Sequence, residues 1–260
     1  MRNRFLLSTA ALLWSLIAGR AAFATPAQEP LFLTTGARPL VMFAMSVDHQ
    51  LFMKAFADYS DLDGNGVIDN TYTDTFDYYG YFDSNRCYEY DASSNLFRPR
   101  NEATGTNSHS CNNSASNGDW SGNFLNWATM TRIDVLRKAL YGGKRVVPET
   151  TTETILERAM LPNDVHSFVK VFSTATPAEM QNYTPYAETT ISLCSTTREP
   201  PAADDSSDWA QSVNTSIYHP KMRIARGDWG RWAADEVYQC AWRGSGGNGV
   251  SAGTSHNLFN

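Results

Sequence analysis

The sequence predicts an α/β domain, and three observations predict it. Residues 40–44 read Leu-Val-Met-Phe-Ala, a continuous apolar run that fits a strand buried on both faces. Residues 121–143 carry Trp127, Met130, Ile133, Leu136 and Leu140 at steps of three, three, three and four, which is one apolar stripe of a helix. Further along, Val165, Phe168, Val169, Val171 and Phe172 form a β-prone cluster, and residues 191–194 and 221–225 are short strand candidates.

The 260 residues bound the chain to one large domain or two small ones, and 42% hydrophobic with 12% aromatic residues suffices for a core. A net charge of -6 argues against nucleic acid or an anionic membrane as the main partner. Residues 1–24 read as a secretory signal: Arg2 and Arg4, an apolar stretch from 5 to 18, then Ala22-Phe23-Ala24 as an A-x-A cleavage site. An exported chain with no transmembrane anchor after cleavage is expected. Its four cysteines, Cys87, Cys111, Cys194 and Cys240, suggest two disulfides. Three pairings are possible. The sequential one is expected, because each bond then clips one polar loop region.

In order, residues 25–38 are a lead-in with a short edge strand at 31–33. Leu51, Phe52, Phe56 and Tyr59 recur at helical spacing, so a short helix precedes the acidic stretch at 61–69. After the aromatic run Tyr78, Tyr79, Tyr81 and Phe82, residues 84–119 are rich in Ser, Asn and Gly and read as an exposed loop insertion tied by Cys111. Asp119 or Ser121 caps the long helix, Gly142-Gly143 stops it, and Arg132 and Asp134 are expected to face solvent. Thr150 with Glu153 makes a capping box for a shorter helix bearing Ile155, Leu156, Ala159 and Met160. Asp228 caps a last helix carrying Trp229, Trp232 and Val237. The domain is expected to span 25–243, with a flexible Gly/Ser-rich tail at 244–260.

The acidic stretch is the clearest chemical signal. Asp61, Asp63 and Asn65 fall on alternate positions, Gly66 is sixth, Val67 offers a backbone carbonyl seventh, and Asp69 is ninth. That is how one short loop wraps a hard cation in oxygen donors, and the donor type suits calcium. The twelfth place of an EF-hand loop wants Glu, and here it is Tyr72. Asp74 or Asp77 are the substitutes to consider. Ile68 is expected to anchor the loop in the core.

Nothing in the sequence makes an enzyme. HExxH, G-x-S-x-G and phosphate-loop motifs are absent. Gly244, Gly246 and Gly249 satisfy GxGxxG only in letters, with no strand before them and no helix after. The five histidines have no ligand spacing. Trp229, Trp232 and Trp242 are candidate binding aromatics, and they keep open an alternative reading as a secreted carbohydrate-binding or hydrolytic protein.

Two long stretches, SDLDGNGVIDNTYTDTFDYYGYFDSNRCYEY and SGNFLNWATMTRIDVLRKALYGGKR, resemble the N-terminal half of PilY/PilC-type proteins. These are type IV pilus tip-associated assembly factors and adhesins of Gram-negative bacteria. PLFLTTGARPLVMFAMSVDHQLF, TTTETILERAMLPNDVHSF and RIARGDWGRWAADEVYQCAW are similar too, so the resemblance spans nearly all of the mature chain. It implies a von Willebrand factor A-like three-layer sheet with helices on both faces, elaborated by loop insertions. The first strand would be residues 40–47 and the first long helix 121–141. It implies minor pilins or other pilus components as partners, a host surface as a further one, and a location in the periplasm, on the outer surface or at the pilus tip. A calcium-binding propeller usually follows this half in the family, and none is present before Asn260. The metal-binding D-x-S-x-S of adhesive A-type domains is also not matched at Ala44-Met45-Ser46-Val47-Asp48. The resemblance thus implies pilus assembly or tip adhesion, with calcium as a stabiliser and no catalysis.

Overall fold

The computed structural model describes residues 47–111, 119–146, 149–161, 167–197 and 220–230, with Met42, Ala44 and the backbone of 258–259. The chain divides into two compact units, Met1–Ser46 and Val47–Asn260. In the first, Met42 and Ala44 are exposed and lie in no strand. The expected leader and the rest of the apolar run at 40–46 lie outside the described residues. So do Trp232, Cys240, Trp242 and most of the tail. The described helices and strands all belong to the second unit.

Its first sheet is built where a loop insertion was expected. β1 (Arg86–Asp91) and β2 (Leu96–Glu102) form a hairpin, and β3 (Asp119–Ser121) pairs with the other edge of β1. All pairings are antiparallel, with Tyr90 opposite Phe97 and Tyr88 opposite Trp120. The Ser- and Asn-rich composition belongs to the turn: Asp91 accepts from Ser93 and Ser94, and Asn95 adopts φ 54°. Cys87 and Tyr88 of β1 are both buried. Cys87 is bonded to Cys111, as the sequential pairing predicts. Cys194 is also disulfide-bonded.

The long helix expected from 121 to 141 is two helices, α1 (Gly122–Thr129) and α2 (Arg132–Tyr141). Between them Met130 is extended, at φ -73° and ψ 137°. The cause is a competing pairing. The Ala55 amide donates to the Met130 carbonyl (2.9 Å) and the Arg132 amide to the Met53 carbonyl (3.0 Å), which takes up groups an unbroken helix would use. Ser121 caps α1 and Gly142, at φ 87°, closes α2. Arg132 is exposed, as expected, but Asp134 is buried. Its carboxylate completes a capping box with Thr131 and accepts the Ala159 amide at 2.8 Å.

Two expected helices are not formed. Residues 51–59 contribute only the end of a single 3-10 turn, His49–Phe52. At 150–160 the Glu153 amide does reach Thr150 Oγ1 (3.0 Å), yet no helix forms there. Ile155 and Glu157 pair instead with Val146 and Lys144 in extended conformation.

The second sheet matches the strand reading closely. β4 (Phe168–Ser173), β5 (Thr190–Thr196), β6 (Lys221–Arg226) and β7 (Leu258–Phe259) are antiparallel in that order. A short helix, α3 (Pro177–Met180), lies in the β4–β5 connection. β4 alternates, with Phe168, Lys170 and Phe172 buried, whereas β5 is buried along almost its whole length. Among the described strands no pairing is parallel. A doubly wound sheet of the von Willebrand factor A kind, with helices on both faces, is therefore not formed by these residues. They form a small α/β domain in which α1, buried on every side, contacts β1, β3 and β5 and so joins the two sheets. Tyr72, Tyr78, Trp120, Phe124, Trp127 and Phe172 fill the core, mostly in edge-to-face contacts such as Phe124–Phe172, 5.0 Å between centroids.

Candidate metal loop

The loop at 61–69 is closed at its neck by the Ser60–Asp69 bridge. Within it the backbone turns its amides onto the acids. Asp61 Oδ1 accepts from Gly64 (2.8 Å) and Asn65 (3.1 Å), and Asp61 Oδ2 from Gly66 (2.9 Å). Asp63 Oδ1 accepts from the Asn65 amide at 3.1 Å, and Asp69 Oδ2 from Leu62 at 2.7 Å. Gly64 and Gly66 make this wrapping possible by adopting φ 76° and 87°.

The result is that carboxylate oxygens of Asp61, Asp63 and Asp69 lie within 4.8 Å of one another. No Lys, Arg or His pairs with them among the described residues. Charges this close repel by roughly 1 kcal/mol per pair at about 4 Å in water. The Asn65 amide is turned inward too, giving Nδ2 to Asp63 (3.0 Å) and accepting the Val67 amide on Oδ1 (2.8 Å). The Thr75 hydroxyl donates to Asp63 Oδ2, and that bond above all lowers the Asp63 pKa below its ordinary value. The site is thus an all-oxygen cluster, which is the donor chemistry a hard divalent cation requires.

Three details differ from the sequence reading. Ile68 does not anchor the loop: it is 61% exposed, as is Val67 at 66%, and Leu62 packs on the core instead. Tyr72 at the twelfth position is buried among aromatics and faces no ligand place. Asp74 and Asp77 do not replace it, because both turn to His109.

What fixes the loop to the domain was missed in the sequence. Asn123 and Asn126, three apart on α1, bind the backbone of the aromatic run. Asn123 Oδ1 accepts the Tyr78 amide (2.7 Å) and Asn126 Oδ1 the Phe82 amide (3.0 Å), while Asn126 Nδ2 donates to the carbonyls of Tyr78 (2.8 Å) and Phe82 (2.9 Å). The available signal was two amides at i and i+3 on a helix otherwise apolar. On the near side, buried Lys170 binds Asp58 (2.6 Å) and the Phe56 carbonyl and lies 4.7 Å from the Trp127 ring centroid. Burial pushes its pKa down to about 8, against the pull of Asp58.

Of the three candidate tryptophans only Trp229 lies among the described residues. Trp229 gives its indole N–H to the Arg226 carbonyl (2.6 Å) and its amide to Ser192 Oγ (2.8 Å), folding back on the second sheet. Trp120 and Trp127 are core residues. No helix among the described residues is long and apolar enough to cross a membrane.

These features define a small α/β domain that presents a polar loop on an aromatic core. The family described as "PilY1 homolog, small alpha/beta domain" matches residues 69–224. The chain belongs to that family. It is 44% identical over 133 residues to a type IV pilus biogenesis factor PilY1 homolog of Xylella fastidiosa (strain Temecula1), covering 51% of this chain and 8% of that protein. A second protein of the same description and organism is 46% identical over 96 residues, covering 35% of this chain and 8% of its own length. The chain therefore aligns with a small part of these relatives. No solved structure matches it significantly.

Proposed function

We propose that this domain is an exported, non-catalytic binding module of the type IV pilus system, serving pilus assembly or tip adhesion, and that calcium stabilises it. The pilus assignment is supported by the family match and by the 44% identity to a pilus biogenesis factor. The calcium assignment is supported by one observation above others, the convergence of Asp61, Asp63 and Asp69 without a described cationic partner. Asp61, Asp63, Asn65 and Asp69 would hold the ion by their side chains and Val67 by its carbonyl. The ion would cancel the repulsion among the carboxylates and fasten the loop ahead of the aromatic run.

Thermal unfolding of the purified chain, with calcium and with a chelator, tests the metal reading. At free calcium of 100 times Kd the stabilisation is about 2.7 kcal/mol, and Asp63→Asn removes most of it. An unchanged melting temperature with no heat of calcium binding overturns it. Recovery of the chain with sheared pili, and its loss from a pilus-deficient strain, tests the assignment to the pilus.

A further inference from the structure

His109 is 2% exposed, and both of its ring nitrogens face oxygen. Nδ1 lies 2.8 Å from the Asp74 carbonyl and 3.4 Å from Asp74 Oδ1, and Nε2 lies 2.8 Å from Asp77 Oδ1. A neutral imidazole has one N–H and can satisfy only one side. Asn123 Nδ2 also lies 3.0 Å from Nδ1. It has two hydrogens, however, and two other acceptors in reach, the Tyr72 hydroxyl at 3.1 Å and the Phe76 carbonyl at 3.0 Å. With those two taken, Nδ1 is free to carry a proton and donate it to Asp74. The arrangement is that of an imidazolium between two acidic residues.

We propose that His109 is a pH-sensitive latch that, as imidazolium, ties the segment between the acidic loop and the aromatic run to the disulfide-closed stretch after the β1–β2 hairpin. His109 lies two residues before Cys111, whose bond to Cys87 ties this stretch to β1. Asp74 and Asp77 flank Thr75, which reaches Asp63. The latch thus sets how firmly that segment is seated, and it stands whether or not the loop takes an ion. The titratable groups around the ring are Asp74 and Asp77 from the connecting segment, Tyr72 through Asn123 on α1, and Tyr183, after α3, through Asp74. Burial raises both tyrosines above their ordinary pKa, so they stay neutral and the two acids decide the balance. Asn107 Nδ2 holds the second oxygen of Asp74 at 3.0 Å.

Burial opposes the charged ring, but the bonds and charge of Asp74, with the bond to Asp77, outweigh it, and the pKa of His109 is raised above 6.5. The latch is then fully closed below the free imidazole value of about 6.5 and opens as pH rises through the folded value. NMR titration of the His109 ring and of the backbone amides at 73–77, in the full chain, tests this. The ring is expected to titrate above 6.5, and the amides to shift with the same midpoint. Asp77→Asn, at a side chain 81% exposed and so tolerant of change, lowers the midpoint. His109→Gln abolishes the amide titration. A ring that titrates at or below 6.5, or a midpoint unmoved by Asp77→Asn, overturns the proposal.

Discussion

Asn126 holds the aromatic run from inside α1, and Gly80 is what lets it come so close. A Cβ at Gly80 would sit 2.2 Å from Asn126 Oδ1 and 2.5 Å from Met130 Cγ. Neither atom can retreat easily, since Asn126 is held by three hydrogen bonds to Tyr78 and Phe82 and Met130 is fully buried. Gly80→Ala therefore destabilises the domain by about 1–3 kcal/mol through overpacking, read as a lower urea midpoint. The same change at Gly64, where nothing lies within 4 Å, pays only for its positive φ and shows the smaller loss.

At the level of elements, the break between α1 and α2 is the informative feature. Periodicity across Trp127, Met130 and Ile133 predicts one helix because the stripe runs on in register through the break. What ends α1 is the backbone pairing with Met53–Ala55, more than seventy residues away in the sequence order, and a side-chain pattern carries no trace of it. α2 starts on a capping box of Thr131 and Asp134, directly after Met130. Thr131→Ala is expected to cost about 1 kcal/mol as a lost cap. Asp134→Ala costs more, because it also leaves the buried Ala159 amide unpaired, about 1–3 kcal/mol by itself. Denaturant unfolding of the two variants ranks them, and equal losses would mean that Ala159 finds another partner. The Thr150–Glu153 pair shows the converse. Its local bond forms, but the chain behind it pairs with Lys144 and Val146 and never becomes helical. Strands β4, β5 and β6 were legible because each carries its own β-prone residues. β1–β3 were not, because the polar turn at 91–95 and the surrounding Ser and Asn outweighed Cys87, Tyr88 and Tyr90 in the composition. The convergence of Asp61, Asp63 and Asp69 was legible because one short loop carries all three. Its anchors, Asn123 and Asn126, were not, since they act across forty residues or more.

At the largest scale, α1 and the Cys87–Cys111 disulfide connect parts of the described chain. α1 joins the two sheets, and the Cys87–Cys111 bond joins the start of β1 to the loop that follows the hairpin. Replacing both cysteines by alanine is expected to destabilise the chain by about 3 kcal/mol on loop-entropy grounds, seen as a fall in melting temperature; a reductant, which also opens the bond of Cys194, lowers it at least as far. If neither treatment changes it, the hairpin is held by its packing against Trp120 and Phe124 alone. The same covalent closure also sets how the domain carries a mechanical load. Between Cys87 and Cys111 lie 24 steps of chain, roughly 80 Å when drawn straight. A pull on the two ends of the domain passes across the sulfur bridge and never along that length, so the closed stretch, with the β1–β2 hairpin and His109 inside it, stays slack while the rest bears the tension.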